Sequence, residues 1–466
     1  MPFVLGVDSA ARSTAVELRD AESGELFGSG RSVHPPTDQA EHAQDPHVWW
    51  NALVDARRDA GGALGMNAVA VAAQMHGLVA LDREGQVIGP ASVGADPDVA
   101  RDAASLVETF GGVEPWVNAC GSVPDTSFAI AKLAWLRRTQ PEEFARVAKV
   151  MLAHDWLTLR LSRKLVTDRG GASSTGYFSP RDGEWRSDLL ALVDPDKSWE
   201  PCLPRVAVAG EPAGDREGVV IAGGTGSAMA AALGLALQPR DVVVSLDHAC
   251  VFTVRERPTE DPTGQVSGLA DATGRFLPLV ASLASLGVLE SFANVLGVDH
   301  SRFDRLALEA PPGSGGVRFL PAEAARLDQP AREGILTGLD VDSSPSLVAR
   351  AAVEGVGHRL LDDIEALRQA DVPVGGRLLL LGSARSHSLS QVLADLSGRP
   401  VAVPKGDRVI AGACVLAAAA LHSAPPEELS TAWGLDRARE LEPNRHVDSD
   451  ELRSSYKRAL AARAAR

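Results

Sequence analysis

The sequence predicts an α/β protein with two domains, and three observations support this. The chain has 466 residues, well above the roughly 100 to 200 residues of a typical single domain. Apolar segments of strand length alternate with longer segments of helical period, which is the order of an α/β fold. A second succession of strand, glycine-rich turn and helix begins near residue 219, with no long linker before it. We therefore expect domains at residues 1–235 and 236–466 that face each other across a cleft.

The first domain is predicted to open with a β-hairpin. Residues 3–8 and 14–18 are apolar strand segments joined by a tight polar turn. A helix is predicted to begin at His47, and residues 67–72 form a candidate buried strand. Two further helices complete this part of the prediction, at residues 129–138 and 142–148.

The second half repeats the order of strand, turn and helix. Residues 219–222 are predicted to be a strand that leads through a glycine-rich turn into a helix at 228–233. Later strands are predicted at 241–246 and 377–381, and the helix after the second of these ends at Gly398. A last amphipathic helix is predicted at residues 450–466, without a functional signal.

Composition excludes several classes of function. A net charge of -15 and a pI near 5.2 disfavour a nucleic-acid binder, which needs a basic surface. No apolar run reaches the ~20 residues of a membrane span, and the N-terminus lacks the charged start of a signal peptide, so we expect a cytoplasmic protein. The four cysteines are widely separated, form no zinc-like pattern and are predicted to be free thiols.

Several segments together carry a resemblance to a known family. They are residues 44–46 with 49–50, then 73–77, 131–136, 141–142, 152–157, 319–321, 352–357 and 384–398. In this order they resemble the motifs of FGGY-family carbohydrate kinases, most closely the xylulokinases, over about residues 3–420. The resemblance implies two actin-like domains of the ribonuclease H type. It also implies transfer of a phosphoryl group from ATP, with Mg²⁺, to a ketopentose or related sugar. A homodimer is a candidate assembly.

The resemblance places the sugar at two segments. Gln74, Met75 and His76, with Gly77 after them, match the family segment that contacts the ketopentose, where the imidazole bonds a sugar hydroxyl. Asp96 matches one acidic residue of the family's second sugar-binding segment, in which Gly94 stands where the family has a tryptophan. A satisfied histidine at a strand end and a surface carboxylate are the structural alternatives for His76 and Asp96.

On the phosphate side, the resemblance implies nucleotide and metal contacts from two loops. Asp8 ends the first strand as in the family and is the candidate metal ligand, although Ala10 and Ala11 replace the family's Gly-Thr-Ser type of turn. The other candidate nucleotide-binding residues are Arg12, Ser13, Gly382, Ser383 and Arg385.

The family's general base is an aspartate, and Gly226 stands in its place. Asp247, followed by His248, is a candidate replacement because it lies in a loop that should face the phosphates. Two hypotheses follow. The chain is a sugar kinase with a relocated base, or it is a catalytically inactive relative that binds a sugar and serves as a sensor or a partner subunit.

Overall fold

The computed structural model describes residues 1–35, 43–61, 65–93, 96–282, 286–322, 333–382 and 386–464. The chain forms two compact units. Unit 1 comprises residues 1–237, 254–278 and 406–437, and unit 2 comprises residues 238–253, 279–405 and 438–466.

Strands and helices alternate, as predicted. The strands are β1 Phe3–Ser9, β2 Ser13–Asp20, β3 Leu26–Val33, β4 Ala43–Gln44, β5 Ala68–Ala73, β6 Leu78–Leu81, β7 Ala91–Ser92, β8 Lys149–Leu152, β9 Val166–Asp168, β10 Phe178–Ser179, β11 Glu184–Trp185, β12 Arg205–Ala207, β13 Pro212–Arg216, β14 Val219–Ala222, β15 Thr225–Gly226, β16 Val242–Ser245, β17 Cys250–Phe252, β18 Ser267–Ala270, β19 Phe276–Ala281, β20 Arg318–Leu320, β21 Ile335–Thr337, β22 Leu378–Leu381, β23 Val401–Pro404 and β24 Ala438–Leu441. The helices are α1 Pro46–Asp59, α2 Ala100–Thr109, α3 Val113–Cys120, α4 Ala129–Thr139, α5 Pro141–Arg146, α6 Ala153–Ser162, α7 Arg169–Ser173, α8 Ser187–Val193, α9 Ser227–Gly234, α10 Leu286–Val295, α11 His300–Glu309, α12 Pro345–Gln369, α13 His387–Ser397, α14 Arg408–His422, α15 Pro426–Ala432 and α16 Ser449–Ala464.

Unit 1 is built on a seven-stranded mixed sheet in the order β13-β14-β5-β1-β2-β3, with β15 also paired to β5. β1 and β2 form the predicted antiparallel hairpin, while β14, β1 and β15 all run parallel to β5. Leu5 and Val7 of β1 belong to the apolar core shared with α1, whereas a side chain at Gly6 would meet Cys414 of α14. Because successive strand residues face opposite sides, helices cover both faces of this sheet.

The two units differ from the predicted domains in two segments. The first passage between units, at residues 237 and 238, lies next to the predicted boundary, but residues 254–278 and 406–437 return to unit 1. The second segment contains α14, which packs on β1, β5 and α9. An apolar helix must cover a sheet face, and its own sequence does not say which sheet that is.

In unit 2 the sheet runs in the order β19-β17-β16-β22-β23-β24, with β16, β22 and β23 parallel. The long helix α12 packs against α11, α13 and β20. The predicted C-terminal helix is present as α16, where Arg453 donates to the His358 carbonyl at 2.8 Å and Tyr456 stacks on the His358 ring.

Two of the predictions made from composition concern the cysteines and membrane-spanning segments. All four cysteines are buried free thiols, as predicted. Within the described ranges no single helix is long and apolar enough to cross a membrane, and only the pair α14 and α15, bent by 118°, passes that test jointly.

Candidate functional site

Three strand ends of unit 1 lie side by side and form the base of the candidate site. In the parallel pairing, Asp8 of β1 is opposite Ala72 of β5, and Thr225 of β15 is opposite the same Ala72 from the other side. Asp8 and Thr225 are therefore two strand spacings apart, on the order of 10 Å. The chain leaves this edge at Gln74, Ser9 and Gly226, so loops that are distant in sequence start at one place.

The loop after β1 is a tight turn held to the sugar-side segment. The Ala10 amide donates to the Ser13 carbonyl at 3.0 Å, which leaves Arg12 exposed at the tip and Ser13 buried at the start of β2. Gln44 donates to the Ala11 carbonyl at 2.6 Å and accepts a bond from the Gln74 amide at 3.4 Å. The candidate phosphate loop and the candidate sugar segment are thus joined through one glutamine side chain.

His76 has the conformation expected of a functional residue. Its φ is 66°, a left-handed value that costs a non-glycine residue free energy and clusters at binding and active sites. The ring nitrogen Nδ1 lies 2.9 Å from the Ser174 carbonyl, which only accepts, so Nδ1 carries the proton. Burial lowers the pKa of the imidazole; Asp125 opposes this and Lys132 adds to it. In the neutral ring, Nε2 is therefore a hydrogen-bond acceptor, suited to a sugar hydroxyl.

A buried lysine holds the sugar segment in place. Lys132 of α4 is 1% exposed, and its ammonium donates to the His76 carbonyl at 2.7 Å and the Ser92 carbonyl at 3.3 Å. Burial lowers the pKa of Lys132 to about 7, although Asp125 and Asp96 raise it. No role for Lys132 follows from the sequence alone. Its signal was a single charged residue inside the apolar pattern of a helix.

Asp96 lies near this lysine but bonds locally. Its carboxylate accepts from the Asp98 amide at 2.9 Å and caps the short 3-10 helix Pro97–Val99. Gly94, the predicted departure beside it, is outside the described residues. The part-exposed Asp96 therefore has a structural role that does not exclude a sugar contact, and its sugar role stays a prediction.

We predict that Lys132→Met removes a pH dependence of stability. The pKa of Lys132 falls from 10.5 in the unfolded chain to about 7 in the folded one, so between these values the unfolded state binds the extra proton. Stability from this site is therefore lowest below pH 7 and rises by about 1.4 kcal/mol per pH unit through the window. Urea unfolding at pH 7.5 to 9.5 measures the slope, and the wild-type slope should exceed that of Lys132→Met.

Lys197→Met is the matched control, since Lys197 also donates to a peptide carbonyl, that of Val147, at 2.6 Å. Equal slopes for wild type and Lys132→Met would contradict a buried lysine of low pKa.

A side chain at Gly226, which is predicted to stand in place of the family's aspartate, would meet two methionines. A Cβ at Gly226 would lie 2.9 Å from both the Met229 sulfur and the Met75 Cγ. The backbone itself is ordinary for any residue, with φ -70° and ψ 153°. Gly226 is therefore not required by the turn, and two methionines take up the room that a side chain at this position would need.

In unit 2, the predicted residues Asp247 and Gly382 lie just after the adjacent parallel strands β16 and β22. β16 and β22 are parallel with Ser245 opposite Leu381, and the turn after β16 carries Asp247 while Gly382 follows β22. Asp247 is exposed, and its carboxylate lies 2.9 Å from the position of a Cβ on Gly382. His248 bonds Ser245 through Nδ1 at 2.9 Å. Ser383 and Arg385 lie outside the described residues.

Metal binding at this site would depend on few protein ligands. No group of three or more histidine, cysteine or acidic side chains that could hold a metal occurs in the part of the chain that the structure describes. Mg²⁺ in phosphoryl-transfer enzymes is held by one or two carboxylates together with phosphate oxygens and water. The single carboxylate of Asp8 at the end of β1 fits that arrangement.

Comparisons with known proteins identify the family of this chain. The FGGY family of carbohydrate kinases matches through its N-terminal domain at residues 3–234 and its C-terminal domain at residues 249–421. A xylulose kinase of Streptomyces coelicolor is 36% identical over 445 residues, which are 93% of this chain and 91% of that protein.

Two solved structures share the whole architecture. The xylulose kinase of Bifidobacterium adolescentis is 30% identical with a TM-score of 0.82, over 98% of this chain and 99% of that one. A xyloylose kinase from Brucella ovis is 25% identical with a TM-score of 0.90, over 99% of each chain. The matched domains, the collinear relatives and the two-domain α/β architecture lead to one conclusion: this chain belongs to the FGGY family of carbohydrate kinases.

Proposed function

We propose that this chain is a carbohydrate kinase that transfers the γ-phosphoryl group of ATP to a ketopentose of the D-xylulose type. The observation that carries the proposal is the sugar segment at residues 74–76. It presents a neutral imidazole acceptor from a strained backbone that Lys132 and the Ser174 carbonyl hold in place. A conformation with this cost persists where the surrounding structure enforces it, as at ligand-binding sites.

The chemistry asks for positioning and for groups that offset charge. In phosphoryl transfer the protein aligns the attacking hydroxyl with the phosphate and stabilises the charge that develops. Asp8 would hold Mg²⁺, which when bound offsets the negative charge of the phosphates. Gln44 and Gln74 would hold the loop after β1 in a fixed position relative to the sugar segment.

A second candidate function is sugar binding without turnover. Its support is the occupied base position, because Met75 and Met229 fill the space in which a general base would lie at Gly226. Loss of a general base alone typically costs about 10² to 10⁴ in rate. A relative in this state would bind the sugar and respond to it.

ADP release on purified protein, with ATP, Mg²⁺ and either D-xylulose or a panel of pentuloses and polyols, separates the two functions. Turnover with a ketopentose supports the kinase. His76→Asn, which tolerates the left-handed backbone, is then expected to raise the sugar KM about tenfold, the loss of one hydrogen bond. Calorimetric sugar binding without ADP release would support the binding function instead, and neither binding nor turnover would contradict both.

A further inference from the structure

A buried polar cluster contacts the short strand β15 through Thr225. It consists of His154 and Asp155 in the first turn of α6, Asp168 at the end of β9, and Thr225 beside Gly226. His154 and Asp155 have side chains 0% and 1% exposed, whereas Asp168 keeps 14% of its side chain exposed. Asp168 is thus the least buried acidic residue of the cluster.

The contacts form a row that ends at the strand carrying Gly226. Asp155 Oδ1 lies 3.1 Å from His154 Nε2, which is 3.7 Å from Asp168 Oδ1. The other carboxylate oxygen of Asp168, Oδ2, accepts the Thr225 hydroxyl at 2.6 Å. Neither ring nitrogen of His154 has an aligned hydrogen-bond partner, so the imidazole interacts with the two carboxylates through charge. A buried cation between two carboxylates is the arrangement that offsets their charge best.

Two glycines, Gly170 and Gly171, leave room for this row of polar side chains. A Cβ on Gly171 would lie 2.4 Å from His154 Nε2, and one on Gly170 would lie 2.9 Å from Asp168 Oδ2 and 2.8 Å from the Met229 Cγ. The sulfur of the same Met229 fills the space next to Gly226. The Asp168 carboxylate and the missing side chain at residue 226 therefore border one methionine.

The distance to the sugar segment also suits a catalytic role. Asp168 precedes the short helix α7, and Ser174, which follows that helix, bonds the His76 ring. Six residues of helix span on the order of 9 Å. The Asp168 carboxylate therefore lies at one end of α7, and the His76 imidazole is bonded at the other end. Thr225 of β15 bonds the Asp168 carboxylate.

We infer that Asp168 is the general base of this chain and takes over from the aspartate that Gly226 replaces. The inference rests on the proposed kinase function. The sugar O–H bond breaks and its proton passes to Asp168 Oδ2, directly or through one water. The sugar oxygen forms a bond to the γ-phosphorus of ATP, and the bond from that phosphorus to the bridging oxygen breaks, leaving its electron pair on ADP.

The electrostatic surroundings make the Asp168 carboxylate a stronger base than an exposed aspartate, because its pKa is raised. Burial raises the pKa of Asp168, while His154 and the Thr225 hydroxyl hold it down and Asp155 adds to the rise. For His154, burial opposes the charged ring, but the charges of Asp155 and Asp168 outweigh it and raise the pKa. Arg169 is the further charged group that faces Asp168.

The test is the rate of D-xylulose phosphorylation by Asp168→Asn, with ATP and Mg²⁺. We expect kcat to fall by about 10² to 10⁴ while the sugar KM changes little. Asp299→Asn is the matched control, because Asp299 also caps a helix by accepting an amide, that of Arg302 at 2.7 Å, far from these residues in the sequence. A carboxylate supplied at residue 226, by Gly226→Asp with Met229→Ala, should restore the rate of Asp168→Asn.

A second pair of variants keeps the inference testable if Asp168→Asn does not fold. Thr225→Val removes the hydroxyl that stabilises the charged carboxylate, so the acidic limb of the pH–rate profile should move to higher pH, whereas Thr225→Ser should leave it in place. Wild-type turnover that is insensitive to Asp168→Asn, or an unmoved limb in Thr225→Val, would overturn Asp168 as the base and leave the kinase function standing. Absence of turnover in the wild type would overturn both.

Discussion

Gly226→Asp combined with Met229→Ala is expected to raise the kcat of the Asp168→Asn variant for ketopentose phosphorylation by about 10²-fold, the lower end of what a general base contributes. The new carboxylate would stand in the position that the family uses. Asp168, by contrast, reaches the site from a neighbouring strand end and already bonds Thr225 and the Gly171 amide.

The structure has room for this substitution once one methionine is shortened. The backbone at Gly226 is extended, with φ -70°, so an aspartate there is not strained. The contact that obstructs its Cβ is the Met229 sulfur at 2.9 Å, which alanine removes. The remaining contact, with Met75, involves a flexible side chain that adjusts at small cost.

Steady-state kinetics of four proteins test this expectation. They are Asp168→Asn alone, Asp168→Asn with Met229→Ala, and that double variant with either Gly226→Asp or Gly226→Asn added. Asparagine has nearly the size of aspartate and cannot accept the proton, so it isolates the effect of the base. Equal kcat values for the aspartate and asparagine variants would show that residue 226 does not limit the reaction.

Gly412→Ala is expected to destabilise the protein by about 3 kcal/mol, although the same change inside a helix ordinarily stabilises by up to about 1 kcal/mol. In unit 1 the helices α9 and α14 cross with their backbones in contact. A Cβ on Gly412 would lie 1.9 Å from the Ala230 carbonyl oxygen, and one on Gly234 would lie 1.9 Å from the Arg408 carbonyl oxygen. Neither oxygen can move without displacing a helix that packs on the sheet.

The free energy of unfolding in urea measures this effect. Gly357→Ala is the control, since Gly357 is also inside a helix but its Cβ would meet only the ends of side chains, the nearest being that of Leu396 at 3.1 Å. We expect the control to stay within about 1 kcal/mol of the wild type. Similar stabilities for the two variants would mean that the helix crossing adapts to a methyl group.

Local pattern predicted most of the secondary structure. The hairpin of β1 and β2, the helices α1 and α4, and the strands β16 and β22 all occur at the predicted places. These segments have a clear apolar period and flanking turn residues, and both signals act within a few residues of the chain. The assignment of α14 to unit 1 was not predictable in that way, because it depends on contacts with β1 and α9 across the chain.

The candidate site was predicted in part. His76 lies in the turn between β5 and β6, and its sugar role stays a prediction. The resemblance placed Asp8 at the end of β1, where the structure has it. It did not reveal that Lys132 supports the His76 peptide, since a lysine in a helix is normally solvated. It also gave Asp168 no role, because the partner of this residue, Thr225, lies 57 positions later in the sequence.

The sequence by itself determined the α/β class, the order of the elements, the family and the absence of an acidic residue at position 226, because these follow from short-range pattern and residue identity. Only the tertiary structure decided what fills the space at Gly226 and which carboxylate stands nearby. The physical reason is that packing and charge act through space. Met75 and Met229 become neighbours of Gly226, and Asp168 becomes the partner of Thr225, only once folding has brought the ends of β5, β9 and β15 together.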